Sequence, residues 1–102
     1  MNQILEITNE QEYKDALDSN TGRMVVLFTA PAWCPPCQKF EPQYDRLPEL
    51  TDATLLRVDV DKNAWTGGDI RSVPTIRLYE GSEYLRDLKA TNADAFALSI
   101  QE

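Results

Sequence analysis

The chain has 102 residues, 42% of them apolar and 26% charged, and carries a net charge of −7. This is one domain's length, 1–102, able to bury roughly 60–70% of its unfolded surface without disulfide staples. The charge argues against nucleic acid or an anionic membrane as partner, and no stretch approaches the ~20 apolar residues of a membrane span.

The start, Met1-Asn2-Gln3-Ile4, lacks the basic and apolar regions of a signal peptide, so a cytoplasmic location is expected. Ile4, Leu5 and Ile7 predict a short first strand. Thr8-Asn9-Glu10-Gln11 has the Thr-x-x-Gln form of a capping box. It opens a helix whose buried stripe is Tyr13, Ala16 and Leu17, closed by Asn20-Thr21-Gly22 with Gly22 as a left-handed cap. Met24-Val25-Val26-Leu27-Phe28 is a continuous apolar run, a buried strand over 24–29. After Trp33-Cys34-Pro35-Pro36-Cys37, Phe40, Tyr44 and Leu47 recur at i, i+4 and i+7, one face of a helix. Pro42 should kink that helix, and Pro48 should end it or break it near its end.

Leu55, Leu56, Val58 and Val60 form the next strand, entering the acidic turn Asp59–Asp61. Residues 62–71, with Trp65 and Gly67-Gly68, read as a loop or a short helix. The stretch Pro74 to Tyr79 alternates as a strand with one wet face. Glu80-Gly81-Ser82 turns it into a returning strand from Glu83 to Leu88, and Thr91 or Asn92 caps a last helix carrying Ala93, Phe96, Ala97 and Ile100. The order βαβαβ followed by ββα predicts an α/β chain with a mixed sheet between helices.

Cys34 and Cys37 are the only cysteines, and they lie where a buried strand ends and a helix begins. Unpaired N–H groups and the partial positive charge of a first helical turn favour thiolate over thiol. Such a pair near a strand–helix–strand pattern is a specific redox signal. With Cys34 near the N-cap, Pro35 and Pro36 take the first helical positions, where a missing N–H costs least. They also withdraw two possible donors, leaving the Cys37 N–H as the nearest to the Cys34 sulfur. The other readings are half a zinc site and an inert buried pair. Zinc usually takes four Cys or His ligands, and the chain has two cysteines and no histidine, so no metal is expected. Gly67-Gly68 is too short for a phosphate loop, and no bound cofactor is implied.

Nearly the whole chain resembles thioredoxin. The resemblance rests on Trp33-Cys34-x-Pro36-Cys37 after a buried strand, Pro42 in the following helix, and Val73-Pro74-Thr75 opening the hairpin. It implies the thioredoxin fold, a mixed central sheet of about four to five strands flanked by about four helices. It implies that Cys34 attacks and Cys37 resolves, and that Pro74 carries a cis peptide bond packed against the pair. The substrate groove would comprise Trp33, Pro35, Pro36, Val73, Pro74 and Thr75. The implied activity is reduction of protein disulfides by dithiol exchange, carried out by a monomer and renewed by a thioredoxin-reductase-type reductant. Disulfide oxidase or isomerase activity, or a non-redox binding subunit built on the same fold, are the alternatives.

The chain departs from the thioredoxin pattern at several positions. Pro35-Pro36 stands where Gly-Pro is usual, and a glycine beside the groove is lost near Lys89-Ala90. Six residues before the first cysteine the pattern has a buried Asp that helps deprotonate the resolving thiol, and here that residue is Phe28. Its Lys partner aligns with Arg57. The resulting expectation is an apolar ring beside the thiols, a single simple titration step for Cys34 and slow resolution by Cys37. Arg57 would turn to solvent or pair with Asp59 or Asp61.

Overall fold

The strand from Arg23 to Thr29 (β2) lies at the centre of a sheet, bonded on both sides, which is why Met24 to Phe28 can be apolar without a break. The computed structural model describes residues 2–89 and 91–102. Around β2 stand Ile4–Ile7 (β1), Thr54–Asp59 (β3), Thr75–Glu80 (β4) and Glu83–Asp87 (β5), in the order β1-β3-β2-β4-β5. β1 and β2 run parallel to β3, with Val25 opposite Leu55, whereas β4 is antiparallel to β2 and to β5. Among the described residues, four α-helices accompany the sheet: Glu10–Ser19 (α1), Pro35–Tyr44 (α2), Leu47–Leu50 (α3) and Ala93–Gln101 (α4). A 3-10 turn covers Ala64–Gly68. This is the expected mixed α/β architecture, with its first half in parallel crossovers and its second in a hairpin.

Strand alternation divides the core in two. Val25, Leu27, Leu55 and Leu78 face Phe40 and Tyr44 of α2, Leu47 of α3 and Phe96, Ala97 and Ile100 of α4. Met24, Val26, Phe28, Leu56 and Val58 face Tyr13, Ala16 and Leu17 of α1 and Trp65 of the 3-10 turn. Hydroxyls pin the layers together: Tyr13 and Tyr79 share a hydrogen bond of 2.7 Å, and Tyr44 donates to the Leu56 carbonyl at 2.6 Å. Burial, then the bond to Tyr79, holds the Tyr13 phenol well above its usual range.

Three local expectations are corrected. The cap of α1 is Asn9, which accepts the Glu12 N–H at 2.9 Å, while Glu12 reaches back to the Thr8 N–H. The box is thus Asn9 with Glu12, one residue beyond Thr8 with Gln11, and Gln11 bonds Asp15 instead. Gly22 is no left-handed cap, because the positive-φ glycine is Gly81, at φ +59° in the β4–β5 turn. The exit of α1 is fixed by Asn20, whose amide donates to the carbonyls of Gly22 (2.7 Å) and Gly81 (2.8 Å). Finally, α2 runs through Pro42 and ends at Tyr44, ahead of Pro48. Pro48 occupies the second position of α3, where a proline's missing N–H costs nothing.

Candidate active site

The site forms where β2 hands over to α2. The Ala30 carbonyl accepts the N–H groups of Trp33 (3.2 Å) and Cys34 (3.0 Å), closing a tight turn that delivers Cys34 to the helix. Cys34 is the N-cap, with extended backbone at φ −101° and ψ 105°, and Pro35 and Pro36 are the first two helical residues. An N-cap side chain normally accepts from the second or third residue of its helix. The second here is Pro36, with no N–H, so the Cys37 N–H alone caps the Cys34 sulfur, at 3.2 Å. The Cys37 sulfur is approached at 3.5 Å by the Ala30 N–H. Cys34 and Cys37 are joined as a disulfide with Cα atoms 5.2 Å apart. Both are nearly buried, at 3% and 1% exposure.

The Val73–Pro74 peptide bond is cis, and the Val73 carbonyl oxygen lies 3.7 Å from the Cys34 sulfur. Val73 also packs on the cysteine pair together with Val60. Trp33 stands 59% exposed, its indole N–H donating to Asp61 at 3.1 Å, and the Asp61 N–H in turn donates to Asp59. A groove of about 500 Å³ is lined by Pro36, Phe40, Pro74, Ile76 and Leu88, with Lys39 and Lys89 on it. Of the residues expected at the groove, Pro36 and Pro74 line it, Val73 touches the disulfide and Trp33 stands apart from that lining. Pro35 is exposed outside it, and the Thr75 hydroxyl bonds the Ser72 carbonyl. Another depression, of about 540 Å³ between Arg23, Pro48 and Ile100, lies at the opposite end of β2, away from the thiols.

Residues 4–102 match the family model described as Thioredoxin. A thioredoxin from Geodia cydonium is 35% identical over 84 residues, 79% of each chain. Among solved structures, a mutant thioredoxin from Halobacterium salinarum is 30% identical, with a TM-score of 0.81 over 97% of this chain and 88% of that one. Reduced Schistosoma mansoni thioredoxin is 26% identical, with a TM-score of 0.83 over 97% of this chain and 96% of its own. The chain belongs to the thioredoxin family. It is a thiol–disulfide oxidoreductase, and Cys34–Cys37 is the pair that family chemistry requires.

Against the thioredoxin pattern, the readings at Phe28 and Arg57 are corrected. Phe28 belongs to the cluster under α1, with Tyr13 at 5.9 Å between ring centroids, and not to the cluster around the cysteines. The next residue, Thr29, points to α2, where its hydroxyl donates to Glu41 at 2.8 Å. Arg57 pairs with neither Asp59 nor Asp61. It binds Glu41 at 2.8 Å, Glu6 at 2.9 Å and Asp45 at 3.2 Å. Burial opposes its charge, but the Glu6 hydrogen bond and the Glu41 carboxylate outweigh it and hold the guanidinium above its usual range. A carboxylate therefore does stand under α2, on Glu41, one helical turn beyond Cys37. Its spacing of four residues from Cys37 was the available signal. Ala90, part of the expected glycine loss, lies outside the described residues, whereas its neighbour Lys89 lines the groove.

Proposed function

We propose that Cys34 is the attacking thiol, that Cys37 resolves, and that the enzyme works as a reductant of protein disulfides. The observation that carries this reading is the Cys37 N–H aimed at a Cys34 sulfur that caps α2 beside Val73 and Pro74. In the reduced enzyme, that donor and the positive end of the helix favour a thiolate on Cys34. The thiolate attacks one sulfur of the target disulfide and forms a mixed disulfide. The target's other sulfur leaves as a thiolate and takes a proton from water. Deprotonated Cys37 then attacks the Cys34 sulfur, expels the target's remaining sulfur and closes Cys34–Cys37. Two electrons pass to the target, which departs as a dithiol. A separate reductant, of the thioredoxin-reductase class, must return them.

A reducing compartment, the cytoplasm, suits a chain whose only cysteines are this pair. The working unit is one domain over 1–102 and a monomer. Supporting this, the exposed large apolar side chains Leu5, Trp33, Tyr84, Leu85 and Leu98 are spread over β1, the active-site turn, β5 and α4. Cys34→Ser should abolish reduction of insulin's disulfides, and Cys37→Ser should accumulate a mixed disulfide through Cys34. Faster alkylation of Cys37 than of Cys34 at neutral pH reverses the roles. A couple potential well above that of glutathione overturns the reductant direction.

A further inference from the structure

The groove beside Pro74 is apolar on its floor and cationic at its rim. Phe40, Ile76 and Leu88 supply the floor, and Lys39 and Lys89 the charge, with no carboxylate in the lining. The chain holds only four lysines among 17 acidic residues, and two of the four meet here from positions 50 residues apart. Five of the other eight cations are paired: Lys14 with Glu10, Arg23 with Glu80, Arg46 with Asp94, Arg57 with three carboxylates and Arg77 with Asp69. Among the described residues, no carboxylate comes within salt-bridge distance of Lys39 or Lys89. On the Trp33 side of Cys34 the sign reverses, with Asp61 holding the indole and Asp59 behind it. The surroundings of the attacking sulfur are therefore polar from one side to the other.

We propose that this groove selects disulfides flanked by an acidic segment, an apolar residue followed by Asp or Glu, laid across Pro74 toward Lys39 and Lys89. The proposal rests on the reading of Cys34 and Pro74 as the docking face. Lys39 is five residues along from Cys34, about 7.5 Å of helix axis. An extended peptide covers that distance in two to three residues, so the acidic side chain belongs two or three positions from the target cysteine. The intervening side chain rests on the apolar floor. The −7 charge of the whole chain opposes an acidic partner, but beyond about 8 Å that field is screened at physiological salt, whereas the two lysines lie within reach of the docked segment. Local charge of this kind sets partner choice and association rate more than raw affinity.

The test uses three peptide disulfides that are identical except for Asp, Asn or Lys at the second and third positions on both sides of the cysteine. The wild-type enzyme should reduce the acidic peptide with a kcat/KM about tenfold above the neutral one, and the basic peptide least well. In Lys39→Gln/Lys89→Gln the acidic-to-neutral ratio should fall to about one, and in Lys39→Glu/Lys89→Glu the order should invert. Equal kcat/KM for all three peptides, or a ratio untouched by the lysine variants, overturns the proposal while leaving the dithiol mechanism intact. Failure of Cys34→Ser to abolish reduction of the neutral peptide overturns the mechanism itself. If peptides are reduced alike and sedimentation shows a dimer that the lysine variants dissociate, the groove receives a second copy and the proposal falls.

Discussion

Replacing Arg57 by methionine keeps the length of the side chain and removes the charge that three carboxylates share. Two of those partners, Glu6 and Asp45, are about half exposed, at 48% and 58%, and water replaces the guanidinium at little cost. Glu41 differs: its side chain is 18% exposed, and without Arg57 it keeps only the Thr29 hydroxyl. Orphaning a buried charge costs about 3–5 kcal/mol. With Glu41 partly reachable by water, the figure discounts to about 2 kcal/mol, or a melting temperature lower by about 8–16 °C for a domain of this size. Adding Glu41→Gln should restore at least half of the loss, because no unpaired charge then remains. Thermal unfolding of the oxidised protein measures both.

A functional consequence accompanies it. Glu41 is one turn beyond Cys37, with about 6 Å between Cβ atoms at that spacing. Left uncompensated, its charge disfavours a Cys37 thiolate by about 1 kcal/mol after screening, so release of the mixed disulfide should slow roughly fivefold. Single-turnover release of a labelled target from Cys34 reads this rate. The reasoning is refuted if Arg57→Met costs under about 0.5 kcal/mol. It is refuted equally if the two substitutions simply add in the double variant, which neighbouring charges of this kind should not do.

Two further outcomes follow from the charge and face assignments. Phe28→Leu should lower stability by about 1–2 kcal/mol and leave the thiolate absorbance curve of Cys34 in place, since the ring lies under α1; a displaced curve would put it beside the thiols. The Arg77 hydrogen bonds, against a smaller effect of burial, hold the Asp69 carboxyl below its usual range. A depressed folded value contributes stability above the unfolded pKa of about 3.9, lost as pH falls through the lower folded value. Asp69→Asn should therefore cost under about 1 kcal/mol at pH 7, given the exposure of Asp69, and progressively less as the pH falls through the depressed folded value. A denaturant-midpoint gap that persists in acid would rule out the ion pair as its cause.

Legibility in the sequence tracked the range of the interaction that decides each feature. The apolar run of β2 and the stripes of α2 and α4 are local periodicities, and burial alone turns them into elements. The capping of Cys34 is also local, because the two prolines leave a single donor whatever the rest of the chain does. Thr8 and Asn9 are both competent caps, so their choice falls to which side chain meets the third helical N–H. A proline beside a helix boundary fits a start as well as a stop, hence the displacement at Pro48.

Phe28 is harder. Counting six residues back from Cys34 crosses the turn at Ala30, and a turn does not preserve the alternation that decides which face a strand residue occupies. Its face is set by pairing with β3, where Leu27 lies opposite Arg57 and Phe28 opposite Val58. Once that register is known, Leu27, Thr29 and Arg57 must share the α2 side, and the least exposed of the Arg57 partners comes from the helix itself. Glu41 is the residue in place, held from β2 by Thr29 and from β3 by Arg57. The same logic brings Lys39 on α2 to Lys89 after β5, since both border Pro74, just ahead of the start of β4 at Thr75. The reactive pair is thus specified by five adjacent residues. The charges around it are specified by topology, through residues that lie 12 to 51 positions apart and become neighbours only in the folded sheet.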